Sequence, residues 1–432
     1  MDAVLREQKL QEIKEKDNPV DTKRMMYRGE TKAMEAYLID VEYLIFNQYN
    51  GRIGTHVKTY EKEHGPIDAA TKEGEELIAK FLWDSKRQRN KETLKDLKEK
   101  GQMLPGIVTK DGVIIDGNRR CMLLKKIEHN GPTYFTAVIL DDTIGDNPRE
   151  IRALETTFQM GIDEKVDYNP IEKYLKCRDL LKEDGFTKEA IARMMGEKPS
   201  DIEKYCEILE LMEDYLATYG YEGMYTLLND ESVEGPFVDL RRYLKKQASG
   251  SPRGRDWSPE KEDIAVLRDI YFDYIRAEFR TAHYIRNIGD PSKGKGFFSN
   301  KRIWEDFSKE YQEKIEPINE KEKSFEDFCA ERPDLEKREA IKQRDLAWKN
   351  EVGTPHSDRS RMNTLLRYTS RKLEDHREAT SPMELLKRAK STLDEINPEI
   401  DSFQGKMIKD ISHQIRKLAE KFIKIVEKKA KD

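Results

Sequence analysis

The period of the apolar positions changes along the chain. Between residues 36 and 145 two periods mix. Tyr37-Leu38-Ile39-Asp40, Val113-Ile114-Ile115 and Tyr134–Leu140 are short β-branched or aromatic runs and predict strands. Met103–Val108 reads as another. Leu77, Ile78, Phe81 and Leu82, then the stretch LKDLKEKG from Leu94 to Gly101, repeat at helical spacing. From residue 146 only the helical period remains. Asn169-Pro170 opens a helix with proline in its first turn, and Ile171, Tyr174, Leu175 and Leu181 mark its apolar face. Thr187 is the expected N-cap of Lys188–Met195. Gly196 interrupts, and Ser200 or Asp201 is expected to cap the next helix, which buries Ile202, Tyr205, Ile208, Leu209 and Met212. Leu267, Ile270, Tyr274 and Phe279 predict one helix over Ile264–His283. In the last helix Ile408, Ile411, Ile415, Leu418, Phe422 and Ile425 are spaced 3, 4, 3, 4, 3, a heptad seam.

These periods predict an α+β chain, with a small α/β domain followed by a large, mostly helical region. Residues 1–35 alternate charges and read as a helical or mobile arm. The α/β domain spans 36–145. A helix-turn-helix-like domain spans 146–235. A helical block spans 236–335 and carries two loops, SGSPRGRDWSP and GDPSKGKGFFSNK. The first loop reads as mobile. The second has the composition of a Walker loop but neither its Ser/Thr nor its strand. Charged C-terminal helices occupy 336–432.

Charged residues make up 38% of the 432, yet the net charge is only −5. A whole-protein nucleic-acid footprint is therefore excluded, and any basic surface must be local. The four cysteines are scattered without a CxxC pair, and the seven histidines are few, so neither a disulfide framework nor a metal centre is expected. No apolar run reaches the length of a membrane span. A cytoplasmic protein without a membrane partner is the expectation.

The candidate chemistry sits in residues 107–128, IVTKDGVIIDGNRRCMLLKKIE. A strand breaks at Asp116-Gly117, and Asn118-Arg119-Arg120 opens a helix. Gly117 suits a turn with positive φ. Asn118 is the expected N-cap. Two forked guanidinium groups beside free helical N–H groups suit phosphate oxygens. A plain capped turn with surface arginines fits these residues as well. Lys86, Arg87 and Arg89 read first as a solvated basic turn, and second as lining of the same site. Cys121, a turn further on, reads as a buried core thiol.

Asp116-Gly117-Asn118-Arg119-Arg120 resembles the phosphate motif of the ParB/sulfiredoxin superfamily, whose ParB members carry Gly-Glu-Arg-Arg after a strand. Relatives in DNA-modification and phage-defence systems carry Asp-Gly-Asn-Arg-Arg. Other segments fall in the same order: Tyr37–Asp40 through Asn47-Gln48-Tyr49-Asn50-Gly51-Arg52, then Leu94–Val108, then Ala153-Leu154-Glu155-Thr156, then Asn169–Glu172 and Gly185–Ala192. The resemblance covers roughly residues 36–215. It implies a nucleoside triphosphate, CTP or ATP, with Mg²⁺, bound between the α/β domain and the helices after it. Asp116, Gly117, Asn118, Arg119, Arg120, Glu155, Thr156 and Arg52 would bind it, and Glu155 and Asp116 are the candidates for hydrolysis. Asn118 stands where ParB has glutamate, Thr156 where it has the asparagine associated with magnesium, and Leu104 where it has glutamine. The resemblance thus fixes neither the base nor turnover. Sulfiredoxin chemistry is not expected, because Asn118 occupies the position of that family's cysteine.

The function this implies is an NTP-dependent switch, with weak NTPase activity, in phage defence, DNA modification or partition. Its partner proteins would come from such an operon. The alternatives are a DNA-binding partition or regulatory protein and a non-enzymatic scaffold. Thr187–Asp214 holds four basic residues against eight acidic ones, the wrong balance for a groove-reading element. Lys198 and Lys204, and Arg276 and Arg280 among aromatics, are the candidate nucleic-acid contacts, and such binding would be electrostatic and non-specific. Lys406–Asp432 holds nine basic and four acidic residues. Its seam predicts self-association or packing on Met383–Leu393.

Overall fold

The computed structural model describes residues 1–127, 131–162, 169–248, 256–280, 282–290, 296–399 and 405–430. It separates into two compact units, Met1–Leu366 and Arg367–Asp432. Parts of both predicted loops, 249–255 and 291–295, lie outside the described residues, as do 403–404 and 431–432 at the ends of the predicted self-association segment.

The first unit is built on one mixed sheet in the order β1-β2-β6-β4-β5-β3. The strands are β1 (Asp21–Tyr27), β2 (Glu30–Asp40), β3 (Ile45–Phe46), β4 (Gly106–Val108), β5 (Val113–Asp116) and β6 (Tyr134–Ile139). The pairs β4–β6 and β3–β5 are parallel; the rest are antiparallel. Ile114 faces one apolar cluster and Ile115 the other, as the strand period of two requires. Both faces are covered, which is why β5 reads as an unbroken apolar run.

One face carries α1 (Ala3–Lys16), α2 (Gly54–His64), α3 (Lys72–Ser85), α4 (Arg87–Lys100) and α5 (Asn118–Leu124). The other carries α6 (Pro148–Thr156), whose Ile151 and Leu154, with Phe158 just beyond it, pack on Ile107, Ile115 and Val138. α6 runs on into a π-helical turn at Thr157–Ile162.

Residues 1–35 are not an arm. Leu10 of α1 is fully buried in the core, and β1 pairs with β2 along its whole length. A two-residue turn, Arg28-Gly29, joins the strands, with φ +53° and +76°.

Helices follow: α7 (Pro170–Lys182), α8 (Lys188–Met195), α9 (Pro199–Thr218), α10 (Glu231–Ala248), α11 (Lys261–Arg276) and α12 (Ala282–Gly289). Then come α13 (Lys301–Lys314), α14 (Glu316–Lys321), α15 (Phe325–Glu331), α16 (Lys337–Val352), α17 (Arg361–Asp394) and α18 (Lys406–Lys429). Thr187 caps α8 through Ala190 N, and Gly196 ends it in the left-handed region. α9 begins earlier than expected. Lys198 holds the N-cap position and Pro199 the first turn, so neither Ser200 nor Asp201 caps it. The single helix expected over 264–283 is two, because Glu278 turns to φ +68°.

In the second unit the heptad residues Ile411, Ile415, Leu418, Phe422 and Ile425 of α18 are exposed, as are Met383, Leu386 and Leu393 of α17. Among the described side chains, the alternative in which the seam packs on Met383–Leu393 is not seen. Among the described residues no helix is long and apolar enough to cross a membrane.

Candidate functional site

The site is organised by the turn between β5 and α5. Gly117 lies at φ +100°, and a Cβ there would meet Phe135 Cζ at 2.6 Å. Both facts demand glycine. Gly117 itself takes the N-cap position of α5, with no side-chain cap. Asn118 is not the cap. It is buried, accepts from Asn47 N at 2.9 Å and donates to Ile114 O at 2.8 Å. It ties the loop after β3 to the end of β5.

The two arginines diverge, as successive helical positions must. Arg120 turns back, donating to Asp116 Oδ2 at 3.1 Å and to Leu104 O. Asp116 also accepts from Lys23 Nζ at 2.7 Å and is buried. Arg119 points into a cleft of about 630 Å³, a volume suited to a small-molecule ligand.

Glu155 and Thr156 do not reach that cleft. Glu155 is buried, accepts from Asn47 Nδ2 at 3.1 Å and Lys176 Nζ at 2.7 Å, and lies 3.6 Å from Arg152. Thr156 is buried, and its hydroxyl donates to Arg152 O at 2.8 Å. The π turn places Gln159 one widened turn beyond, where it accepts from Gly51 N and donates to Ile115 O, each at 3.1 Å. Asn47, Gln159, Lys176 and Lys23 form the frame of the site, and the sequence reading assigned them no role. Asn47 lies inside the quoted Asn-rich turn, which was its one visible signal.

The cleft gathers residues far apart in sequence. Arg52 stands before α2, His56 is on α2, and Lys86 follows α3. Arg338 comes from α16. Arg87 pairs with Asp84 at 2.8 Å. The acids lining the cleft have partners already. Asp84 has Arg87; Asp230 accepts from Ser232 N at 2.9 Å and Arg280 Nη1 at 2.6 Å; Glu234 accepts from the Tyr174 hydroxyl at 2.5 Å.

Glu172 is the remaining acid. Its carboxyl seats on the N-terminus of α2, accepting from Thr55 N at 3.1 Å and Thr55 Oγ1 at 2.6 Å. A Cβ on Gly54 would meet Glu172 Oε2 at 2.8 Å. Burial pushes the Glu172 carboxyl up to about 7, against the lowering pull of those hydrogen bonds. Asn229 continues the chain by donating to Thr55 Oγ1 at 2.9 Å, and Asn169 donates to Asn229 Oδ1 at 3.2 Å. α2, α7 and the segment before α10 are thereby fastened along the cleft. Burial also lowers the His56 pKa, Asp84 opposes that, and the Arg338 charge reinforces it.

No group of three or more His, Cys, Asp or Glu side chains among the described residues is arranged to hold a metal ion. The Thr156 hydroxyl, engaged with Arg152 O, does not face the cleft.

The nucleic-acid candidates are dispersed. Arg276 is a correction: its side chain is 1% exposed and pairs with Glu322 and Asp345 at 2.5 and 2.8 Å. Its guanidinium lies 4.5 Å from the ring centres of both Tyr219 and Trp348. It cannot meet a phosphate. Arg280 is paired with Asp230. Lys198 is exposed, and Lys204 lines a separate cavity of about 280 Å³ beside Tyr174 and Tyr205. The acids of α9 are held by neighbours: Glu203 by Lys188, Glu207 by Arg241, Glu213 by Arg178. That helix is a packing element on several sides.

No family model matches the chain, and no curated protein matches it. Among solved structures it is similar to a Pnob8-like ParB-N domain at 13% identity, covering 59% of this chain and 92% of that one, with a TM-score of 0.35. It is also similar to the C-terminally truncated chromosome-partitioning protein ParB of Caulobacter crescentus, solved with the centromeric parS site. There the identity is 14%, the coverage 49% of this chain and 92% of that one, and the TM-score 0.25.

Proposed function

We propose that the cleft binds the phosphates of a nucleoside triphosphate, CTP or ATP, with Arg119 as the direct contact from the β5–α5 turn. The protein would then work as a nucleotide-dependent switch of the ParB type in a DNA-related process such as partition, DNA modification or phage defence. One observation carries this reading. Arg119 lines a nucleotide-sized cleft together with Arg52, Lys86 and Arg338, cations that come from four separate segments of the chain. Arg120 supports it from behind, by fixing Asp116 and the Leu104 carbonyl.

The two carboxylates considered for hydrolysis, Asp116 and Glu155, are both buried in ion pairs. We therefore expect binding with little turnover, which a phosphate-release assay checks. Calorimetry with each of the four common NTPs, with and without Mg²⁺, tests the binding itself. A thermal shift with the same ligands is the cheaper screen, since a ligand that binds only the folded state raises stability.

Self-association through α18 is a second element of the reading. Its apolar stripe has heptad spacing and is exposed, and such a stripe in water favours a partner helix. A second copy of this chain supplies an identical stripe.

A further inference from the structure

We infer that Arg338 is a ligand-contacting residue of this cleft, so that a bound polyphosphate bridges the α/β domain and α16, the helix that follows the helical block. The inference rests on the nucleotide reading above and adds a residue that lies far outside the segment resembling ParB.

Arg338 is the second residue of α16 and is exposed at the edge of the cleft. A cation in the first turn of a helix opposes the helix dipole. The structure offers no ion pair in return: among the described residues no carboxylate lies within salt-bridge distance of Arg338. The acids lining the cleft are held by Arg87, Thr55, Arg280 and Tyr174. The charge of Arg338 is nevertheless felt inside the cleft, where it opposes protonation of His56.

The helix that carries it is firmly based. Arg344, six residues on, is buried and donates to Tyr219 O at 2.7 Å, Tyr221 Oη at 3.0 Å and Lys323 O at 3.0 Å. Asp345 pairs with Arg276, and Trp348 Nε1 donates to Asn319 Oδ1 at 2.7 Å. The C-terminal turns of α16 are therefore fixed in the helical block, and its first turn presents an arginine to the cleft. Arg119 comes from the sheet side and Arg338 from α16. A polyphosphate offers several anionic groups that two cations on separate elements can share, whereas a monophosphate offers one. The ligand class this favours is a nucleoside di- or triphosphate over a monophosphate.

The test is calorimetry on the full chain with ATP, CTP and inorganic tripolyphosphate, for wild type, Arg338→Ala, Arg338→Lys and Arg119→Ala. Hydrogen exchange of residues 337–352 is followed with and without the nucleotide that binds. The account expects Arg338→Ala to weaken triphosphate binding about tenfold, the scale of one charge-assisted contact. It expects Arg338→Lys to recover part of that, and the exchange of the first turn of α16 to slow on binding in wild type but not in Arg338→Ala. If Arg119→Ala weakens binding while Arg338→Ala binds as wild type, or α16 exchange ignores the ligand, Arg338 has no such role and the nucleotide reading stands. If wild type binds none of the three probes, the nucleotide reading falls and takes this inference with it.

Discussion

Arg119 and Arg276 are both arginines at the end of an apolar run, and in the sequence each is a candidate phosphate contact. The fold separates them. Arg276 sits between two aromatic rings and two carboxylates, with almost no exposure. Arg119 opens onto a cleft whose acids answer to other partners. The difference lies in what surrounds each guanidinium: one is sealed in a core and the other lines a cavity that a ligand can enter. Arginine between aromatics is the weaker sequence signal for a binding face, since that pattern also describes a cation buried in a stacked core.

The sharpest way to break this contrast is Arg276→Ala. It leaves Glu322 with Arg344 and Asp345 with the Tyr221 hydroxyl as remaining partners, and removing one partner of a buried pair costs up to roughly 3–5 kcal/mol. Denaturant unfolding should show that loss, and it should exceed the loss caused by Arg119→Ala. Equal stability of the two variants would erase the distinction.

Glu172→Gln is next. The wild-type carboxyl titrates near 7 in the folded chain, above the ordinary glutamate value of 4.5. Its protonation therefore favours the folded state: the stability is fully present below about pH 4.5 and is lost as pH rises through about 7. The total is at most ~3.5 kcal/mol at about 1.4 kcal/mol per pKa unit. Thermal unfolding of Glu172→Gln should lack this fall between pH 5 and 8, and a parallel pH profile would contradict the assignment.

Gly117→Ala should weaken nucleotide binding without changing charge, because the left-handed backbone and the contact with Phe135 both resist a Cβ. A strain of about 1–3 kcal/mol is the expected scale, read as a lower melting temperature together with weaker binding. The smallest effect belongs to Arg280→Ala. It frees Asp230 at the cleft wall and should lower anion affinity only two- to threefold, as befits an exposed pair worth about 0.2–1 kcal/mol. A second copy on α18 is tested by Ile415→Asp with Leu418→Asp. Light scattering should report a smaller mass than for wild type, and an unchanged mass would remove self-association through this seam.

Some of this was legible in the sequence. Thr187 and Gly196 bracket α8 where cap chemistry puts them, and Val113–Asp116 is the buried strand that its apolar run indicates. The requirement for glycine at 117 was readable from a strand breaking at Asp-Gly. The β1–β2 hairpin was not. β1 is an edge strand with four of its seven residues exposed and charged residues on its open face, so its alternation reads as an arm. Arg28 in a left-handed turn position gives no sequence warning. Asn118 shows the other limit. Asparagine before a helix reads as a cap, yet its bonds run to Asn47 and Ile114, partners that only the sheet brings together. Arg338 lies more than two hundred residues from the turn it faces, and no local pattern could have placed it there.

The most direct measurement of the central claim is isothermal calorimetry of wild type and Arg119→Ala with CTP and ATP. The account predicts saturable binding of at least one nucleotide by wild type. It predicts a loss of about ten- to a hundredfold in Arg119→Ala, the equivalent of roughly 1.5–3 kcal/mol for a charge-assisted contact, with Lys126→Ala binding as wild type. Wild type that takes up neither nucleotide, or Arg119→Ala with unchanged affinity, would contradict it and leave residues 116–120 as a turn that serves the fold alone.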